Sequence, residues 1–286
     1  MAALKPWTLR DGVAVITGAA SGNGAALALD LARRGMHLAL VDLNAAGLEA
    51  TAAQARATGV KVSTHLLDVA DHAGVAALPA AVLAQHGRVT ALVNNAGVAL
   101  GGLFEHVEAA DFDWLMAINF GATVRLTRAF LPVLGREAAA QLVNVSSIFG
   151  IIAPPGQTAY AASKFAVRGF SESLRHELEM NGSPVGVTIV HPGGVRTAIA
   201  ENARMAKGLD DAVVTSERAN WRTLLALDAA KAAAIIATAM QRRAPRVLVG
   251  KDAKGAAFVQ WLFPVTYWKH VARDIARRVK RKPAAA

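Results

Sequence analysis

Short apolar runs alternate with longer amphipathic segments along most of this 286-residue chain. Seven of the runs have the length and composition of buried strands, namely VAVIT, HLALVD, VKVSTHLLDV, VTALVNN, QLVNV, VGVTIVHP and RVLVG. In the segments between them apolar residues recur at helical spacing. Because strands that alternate with helices build parallel sheets, the pattern predicts an α/β fold with a doubly wound parallel sheet of about seven strands flanked by helices.

The same pattern predicts the positions of the helices. They are AALALDLARRG after the first strand, segments near Ala45–Thr58 and His72–His86, a helix from Ala110, a long helix from about Thr158 to about Met180, and LDAAKAAAIIATAMQRR with Asp228 as its cap. Apolar residues of the helix from Ala110 are interpreted as core: Trp114, Met116, Ile118 and Phe120. Residues 198–227 look irregular and are interpreted as a substrate lid or as a plain connection.

The first strand runs through the loop GAASGNG directly into a helix. Gly18 permits a tight turn, while Gly22 and Gly24 let the backbone approach a ligand. The helix start supplies N–H groups and a positive dipole, which suit a dinucleotide pyrophosphate. Glycines at a strand–helix turn also serve a purely structural purpose, and the loop alone leaves both readings open.

Acidic and amide side chains end the next three strands. Asp42 lies 24 residues after Gly18, where a carboxylate binds the adenosine ribose and repels a 2′-phosphate, or else caps the following helix. Asp68, at the end of the third strand, either faces the adenine or caps the helix that follows. In Asn94-Asn95-Ala96-Gly97 the amides are expected to tie the central strands together, and Gly97 to admit a cofactor.

Residues Asn144–Lys164 contain the best candidates for catalysis. Tyr160 and Lys164 are four residues apart, so both point the same way from one helix. An ammonium beside a phenol is expected to lower the phenol pKa toward working pH. Ser147, at the end of the preceding strand, would share a substrate oxygen with Tyr160, with Ser146 as the second choice.

Composition narrows the function classes. The chain has no cysteine, and its eight histidines show no metal-ligand spacing, so we expect no metal; His191, which precedes Pro192, is expected to pack structurally. The N-terminus lacks the apolar segment of a signal peptide, and no apolar run is long enough to span a bilayer. We therefore expect a cytoplasmic protein.

Positive charge is concentrated at the C-terminal end. From Arg242 onward there are 12 Lys and Arg against 2 acids, whereas residues 1–241 hold 19 of each sign. Val265, Trp268, Val271, Ala272, Ile275 and Val279 recur at helical spacing opposite the basic residues. Such a helix either packs on its own protein or a sister subunit, or makes peripheral contact with an anionic membrane surface. No nucleic-acid partner is expected, because no reading motif accompanies the charge.

The motifs together resemble the classical short-chain dehydrogenase/reductase family over about residues 8–250. The matching positions are Thr17-Gly18-x-x-x-Gly22-x-Gly24, Asp42, Asp68, Asn94-Asn95-Ala96-Gly97, Asn119, Ser147, Tyr160-x-x-x-Lys164 and Pro192-Gly193-x-Val195-x-Thr197. The resemblance implies one Rossmann-type catalytic domain, 1–250, with its lid at 198–227. A basic amphipathic extension, 251–286, goes beyond the family core, and Asn23 departs from the usual aliphatic residue.

The resemblance also implies roles for these residues. Tyr160 is the acid/base, Lys164 lowers its pKa and holds the nicotinamide ribose, Ser147 polarises the carbonyl and Asn119 holds a relay water. The implied cofactor site comprises Gly18, Ser21, Gly22, Asn23, Gly24, Asp42, Asp68, Val69, Asn95, Ala96, Gly97, Tyr160, Lys164, Pro192, Gly193, Val195 and Thr197. We expect a homodimer or homotetramer that uses the helix from Thr158 as one contact.

The expected reaction interconverts a secondary alcohol and a ketone with NAD, since Asp42 disfavours NADP. Apolar residues flank the site and suggest a lipophilic substrate: Ile148, Phe149, Ile151, Ile152, Pro154, Pro155, Leu100 and Phe104, of which Phe149 and Ile152 are the chosen substrate contacts with Ser147 and Tyr160. Several of these residues also suit the core. Two alternatives remain open, an NADP-dependent carbonyl reductase and a non-catalytic, membrane-associated binding protein on the same fold.

Overall fold

The computed structural model describes residues 7–207 and 211–281. Residues 1–6, residues 208–210 of the expected lid and residues 282–286 of the expected extension lie outside the described residues, as does the side chain of Val279. The strands are β1 (Val13–Thr17), β2 (His37–Asp42), β3 (Val62–Leu66), β4 (Ala91–Asn94), β5 (Leu100–Gly101), β6 (Ala140–Val145), β7 (Val185–Pro192), β8 (Arg204–Met205) and β9 (Arg246–Val249).

Seven of these strands form one parallel sheet in the order β3-β2-β1-β4-β6-β7-β9. This confirms the predicted doubly wound sheet of about seven strands. The chain reverses its direction of growth between β1 and β4, which are neighbours in the sheet although two strands separate them in sequence. At such a switch point the loops at the carboxyl ends of the strands diverge and leave a crevice. The two-residue strands β5 and β8 pair separately above this edge.

The helices are α1 (Gly22–Arg33), α2 (Ala45–Arg56), α3 (His72–His86), α4 (Ala109–Met116), α5 (Ala122–Leu134), α6 (Thr158–Met180), α7 (Asp211–Leu224), α8 (Ala229–Gln241), α9 (Lys251–Leu262) and α10 (Tyr267–Arg281). Alternate strand residues face opposite layers: Ile16 packs with α1, α2 and α8, and Val15 packs with α3 and α5. Both layers are mainly apolar, as expected of a sheet that is covered on both faces.

Two sequence-based interpretations need correction. The chain from Ala109 is not one α-helix, because a π-helical segment, Ala117–Gly121, separates α4 from α5. Residues two apart on a helix point to opposite sides and cannot share one buried face. Accordingly Trp114, Met116, Ile118 and Phe120 are half-buried, whereas Leu115 and Asn119 are buried.

The second correction concerns the expected irregular segment 198–227. It contains α7, whose half-buried Val214 and Trp221 lie at helical spacing.

The C-terminal extension folds back onto the sheet domain. Val271 is buried, and Trp268 and Ile275 pack with it against Ile148 and Ile151 after β6. The inner face of α10 therefore packs on its own protein, whereas the alternative of membrane contact stays a prediction. Val265, expected on this face, precedes the helix and is exposed. No helix among the described residues is long and apolar enough to cross a membrane.

A buried chain of amides links β4, β6 and α6. Asn94 Nδ2 donates to Asn144 Oδ1 at 2.8 Å and to Thr127 Oγ1 at 3.1 Å. Asn144 Nδ2 donates to Ser171 Oγ at 2.8 Å. All these side chains are buried, so each lost bond would leave a polar group without water to replace its partner.

We predict that Asn144→Ala lowers the free energy of unfolding by about 2–4 kcal/mol, because it leaves an Asn94 N–H unpaired and opens a small cavity. Urea unfolding followed by circular dichroism measures the change. Ser173→Ala is the matched control, since this hydroxyl lies exposed on α6 and should change stability by less than about 0.5 kcal/mol. Equal effects of the two substitutions would contradict the prediction.

Candidate active site

The glycine loop between β1 and α1 forms one wall of the candidate site. Gly18 has a φ of +67°, and a Cβ there would lie 2.9 Å from the Ala96 Cα atom. A Cβ at Gly24 would come within 1.9 Å of the Gly18 carbonyl oxygen, so only glycine fits at this position. Gly22 faces Thr197, whose Cγ2 atom would lie 3.1 Å from an added Cβ. The turn after β7 therefore lies against the glycine loop.

The first turn of α1 has no side-chain cap. Ser21 is the N-cap residue but forms no capping hydrogen bond, whereas Asn44, Asp71 and Asp228 cap α2, α3 and α8 with their side chains. Uncapped N–H groups at a helix start suit a phosphate. Asn23 Oδ1 is buried and has no hydrogen-bond partner among the described residues. An unpaired buried acceptor at this loop is consistent with a polar ligand, so the loop fits a dinucleotide.

Thr17 and Asn95 hold the glycine loop against the end of β4. The Thr17 hydroxyl accepts from the backbone N–H groups of Asn95 and Ala96, both at 3.0 Å. Asn95 Nδ2 donates to the carbonyl oxygens of Thr17 at 2.9 Å and Gly18 at 3.3 Å. These bonds, and those of Asn94 within the sheet, agree with the structural interpretation of the two amides.

Asp42 lies beside the glycine loop. Its Oδ2 accepts from Ala20 N at 2.9 Å, and its Oδ1 accepts from Asn44 N at 3.0 Å. The alternative that Asp42 caps α2 is wrong, because Asn44 does so by accepting from Gly47 N. The carboxylate thus stands at the end of β2, on the edge where a ribose is expected.

Asp68 and Val69 follow β3 on the same edge of the sheet. Asp68 is exposed, and its Oδ1 accepts from Ala70 N at 2.8 Å. It does not cap α3, because Asp71 does. Val69 is buried, and its carbonyl oxygen accepts from Arg125 Nη2 at 3.2 Å. The structure thus leaves the Asp68 carboxylate open to a ligand from the solvent side.

Tyr160, Lys164 and Ser147 meet above the ends of β6 and β7. Lys164 is buried, and its Nζ donates to the Val145 carbonyl oxygen at 3.1 Å. The same Nζ lies 5.5 Å from the centre of the Tyr160 ring. Tyr160 and Ser147 form a side-chain hydrogen bond. The second choice, Ser146, donates instead to the Lys164 carbonyl oxygen at 2.8 Å, so its hydroxyl is directed into the fold.

Burial favours the neutral form of both ionisable groups. It raises the pKa of Tyr160 to about 12, and the hydrogen bond with Ser147 offsets part of this rise. Burial also lowers the pKa of Lys164 to about 8. The expected lowering of the Tyr160 pKa is therefore wrong, because desolvation of the buried phenol is the largest influence on it. At neutral pH the phenol is protonated and can donate.

Asn119 fixes the loop after β4 rather than facing open space. Its Oδ1 accepts from Val98 N at 2.8 Å, and its Nδ2 donates to Val98 O at 3.0 Å and Ser163 Oγ at 3.1 Å. A Cβ at Gly97 would lie 3.1 Å from Asn119 Oδ1 and 3.5 Å from Lys164 Nζ. Gly97 therefore leaves space beside the Lys164 ammonium, while the relay water of Asn119 stays a prediction.

The turn after β7 is held by residues from distant parts of the chain. His191 is buried, and its Nδ1 lies 2.8 Å from the Ser147 carbonyl oxygen, so the neutral ring donates to it. Gly193 N donates to Val249 O at 2.9 Å, and Gly194 N donates to Asp252 Oδ2 at 2.6 Å. Sequence reasoning assigned no role to Asp252; no local signal links α9 to a turn almost sixty residues earlier.

Pro192 is buried at the end of β7, and Val195 is buried beside it, where it bridges to Leu227. Thr197, next to Gly22, completes this side of the site. The carboxyl ends of β1, β2, β3, β4 and β7, the start of α1 and the first turns of α6 thus place the expected cofactor residues at one edge of the sheet.

An aromatic cluster borders the Tyr160 ring. The Phe149 ring contacts Tyr160 edge to face with 6.1 Å between centroids, and it contacts Trp221 of α7 in the same way at 5.8 Å. Sequence reasoning missed Trp221 because α7 was not expected. Ile152 is buried against α9 and α10 together with Ile148, so packing accounts for it. Leu100 is buried behind Tyr160, while Phe104 is exposed.

Known dehydrogenases and reductases resemble this chain in sequence and in structure. A family model described as short chain dehydrogenase matches residues 12–208. SadH of Mycobacterium tuberculosis, named as an oxidoreductase, is 42% identical over 266 residues, which are 93% of this chain and 95% of that protein. The 3-oxoacyl-[acyl-carrier-protein] reductase FabG of Thermotoga maritima is 33% identical over 193 residues, covering 68% of this chain and 78% of its own length. A Burkholderia phymatum short chain dehydrogenase/reductase solved with NAD superposes with a TM-score of 0.83 and 31% identity, covering 89% of this chain and 94% of that one.

We predict that His191 makes stability depend on pH. Burial above all, together with Arg246 and Arg168, lowers its pKa to about 4, while the Ser147 carbonyl and Glu172 oppose this shift. The unfolded chain binds a proton near pH 6.5, so this contribution to stability is present above that pH and is lost as the pH falls toward 4. Between about pH 7.5 and about pH 5 His191 should account for about 2 kcal/mol of the loss in stability, and His191→Asn should reduce the loss by that amount.

Urea unfolding at the two pH values measures this difference. His72→Asn, at an exposed position, is the control and should keep the full pH dependence. If His191→Asn also keeps it, the buried imidazole is not the titrating group.

Proposed function

This chain belongs to the short-chain dehydrogenase family, and we propose that it is an NAD-dependent oxidoreductase that interconverts a secondary alcohol and a ketone. One observation supports the proposal above all. The phenol of Tyr160, the hydroxyl of Ser147 and the buried ammonium of Lys164 lie together beside the glycine loop, at the switch point of the sheet.

The residues at the switch point fit a nicotinamide dinucleotide. The pyrophosphate would lie on the uncapped start of α1, close to Gly18 and Gly22. Lys164 and Thr197 would bind at the nicotinamide end, where Gly97 leaves room. When bound, the nicotinamide supplies or accepts the hydride.

Asp42 supports NAD over NADP. Its carboxylate would accept hydrogen bonds from ribose hydroxyls at the end of β2 and would repel a 2′-phosphate. Its position beside the glycine loop, held by Ala20 N and Asn44 N, is consistent with this role. The solved Burkholderia relative contains NAD.

Tyr160 and Ser147 would act on the substrate oxygen. In the direction of ketone reduction, the protonated phenol donates a proton to that oxygen and Ser147 donates a hydrogen bond to it. The Lys164 ammonium, held near the ring, stabilises the phenolate that forms. In the opposite direction the phenolate accepts the alcohol proton.

We propose a lipophilic substrate that contacts Phe149 and Trp221. Phe149 contacts the Tyr160 ring, Trp221 contacts Phe149, and both rings offer apolar faces rather than charged partners. The related FabG is named as a 3-oxoacyl-[acyl-carrier-protein] reductase. We propose further that the chain forms a homodimer or homotetramer through α6; sedimentation as a monomer at micromolar concentration would contradict this.

The main test measures the absorbance of reduced nicotinamide with a panel of lipophilic secondary alcohols and ketones. We expect turnover that Tyr160→Phe lowers at least about 100-fold, because the general acid is removed. The chain has two tyrosines, so Tyr267→Phe is the matched control. Its hydroxyl accepts from Ala153 N and is not part of the site, so most of the activity should remain. Cofactor binding without turnover of any substrate would favour the alternative of a non-catalytic binding protein.

A second test addresses the cofactor. We predict that Asp42→Asn lowers the preference for NAD over NADP by about tenfold or more, because it removes one negative charge near the 2′ position. The ratio of kcat/KM for the two cofactors measures this preference. Asp71→Asn is the control, since Asn caps α3 as well as Asp does. A wild-type preference for NADP would instead support the carbonyl reductase alternative.

A further inference from the structure

The turn between α9 and α10 exposes an unusual concentration of large apolar side chains. We call this surface the aromatic corner; it consists of Phe258, Trp261, Leu262, Phe263 and Val265. Trp261 is 73% exposed and Val265 is 88% exposed. Phe258 and Trp261 contact each other with 6.0 Å between ring centroids. A contiguous exposed patch of this kind marks an interaction surface more often than scattered apolar residues do.

The aromatic corner is distinct from the face by which the extension packs on the protein. The packing face consists of Val271, Trp268 and Ile275 of α10 and Ala253 of α9, which contact the segment after β6. The opposite side of α9 presents Lys251, Lys254, Phe258 and Trp261 at successive helical turns. The two helices therefore use one face for folding and leave the other to solvent.

Exposed basic residues border the aromatic corner on both helices. Lys251 and Lys254 precede it on the exposed face of α9, and Lys269, Arg273 and Arg277 follow it on α10. The stacking of His270 on Phe263, with 4.4 Å between ring centroids, joins the corner to the exposed side of α10. Residues 251–281 hold eight Lys and Arg against two Asp. One of these acids, Asp252, is directed inward to Gly194 N.

We propose that this surface docks the protein on an anionic lipid bilayer. Aromatic side chains partition into the headgroup region, where an apolar body and a polar rim are both accommodated. Lys and Arg beside them attract anionic headgroups. The aromatic corner supplies the side chains that partition into the headgroup region, and the Lys and Arg residues beside it supply the positive charge that attracts anionic headgroups.

The same charge argues against a second copy of this chain as the occupant. A symmetric contact through the aromatic corner would bring the basic borders of both copies together, and like charges facing each other oppose association. An anionic bilayer neutralises the same residues.

The docking surface is next to the candidate active site. Tyr267 at the start of α10 accepts a hydrogen bond from Ala153 N at 2.9 Å, in the segment that joins Ser147 to Tyr160. An apolar groove of about 550 Å³ opens beside it, bordered by Pro154, Phe165 and Trp268. Docking would hold this side of the protein at the lipid, where a lipophilic substrate is dissolved. The access to a lipophilic substrate rests on the proposed function, whereas the docking on a bilayer does not.

Co-flotation of the full-length protein with vesicles tests the proposal without any activity measurement. We expect binding to phosphatidylcholine vesicles that contain phosphatidylglycerol, little binding to phosphatidylcholine alone, and weaker binding at high salt. Absence of flotation with the anionic vesicles would overturn the proposal, whatever the enzyme assay shows. Failure of turnover with normal flotation would overturn only the proposed function.

Two pairs of substitutions test the chemistry of the surface. Phe258→Ser with Trp261→Ser should weaken the partition coefficient about tenfold or more, since two interfacial aromatics are removed. Lys254→Gln with Lys269→Gln should weaken it about 30-fold, because each basic residue near an anionic surface contributes about fivefold. All four side chains are exposed, so both variants should fold.

Matched pairs elsewhere on the body serve as controls. Leu66→Ser with Met180→Ser removes two apolar side chains that are 66% and 81% exposed, and Arg136→Gln with Lys231→Gln removes two exposed charges. Neither pair should change the partition coefficient by more than about twofold. Equal losses in test and control pairs would overturn the assignment to this surface. A loss of self-association in the aromatic variant, with unchanged flotation, would assign the corner to a second copy instead.

Discussion

The buried ammonium of Lys164 is the constraint on which the arrangement of the active site depends. A charge without water requires a partner, and the Val145 carbonyl oxygen at the end of β6 provides it. This contact fixes the first turns of α6 over the sheet edge, so that Tyr160, one turn earlier, meets Ser147. Gly97 leaves the other side of the ammonium open, because any larger residue would come close to Nζ. The bond to Val145 therefore positions the Tyr160 phenol, and Gly97 leaves space for a ligand.

The pKa values of Tyr160 and Lys164 are shifted by desolvation more than by pairing with opposite charges. Burial moves the pKa of Tyr160 upward and that of Lys164 downward, and both changes favour neutral groups. The site without a ligand is thus prepared to donate a proton rather than to accept one. His191 obeys the same rule: it is buried and neutral, and its Nδ1 supports the Ser147 backbone from beneath.

The C-terminal extension is tied to the site as well as to the surface. Asp252 of α9 accepts from Gly194 N in the turn after β7, and the inner face of α10 covers the segment between Ser147 and Tyr160. Residues beyond the seventh sheet strand therefore support the geometry of residues that precede them by almost sixty positions or more. The outer face of the same two helices is exposed. Packing therefore does not account for its aromatic and basic side chains.

The sequence by itself determined the order of strands and helices, the glycine loop, and the pairing of Tyr160 with Lys164. These features depend on local periodicity and on residues within one or two turns of each other, which is the information that a single sequence holds. Only the tertiary structure decided that Asn44 and not Asp42 caps α2, that Trp221 reaches Phe149, and that α10 packs over the site. It also reversed the expected direction of the Tyr160 pKa. The physical reason is that desolvation and packing depend on every neighbour in space, including side chains far away along the chain.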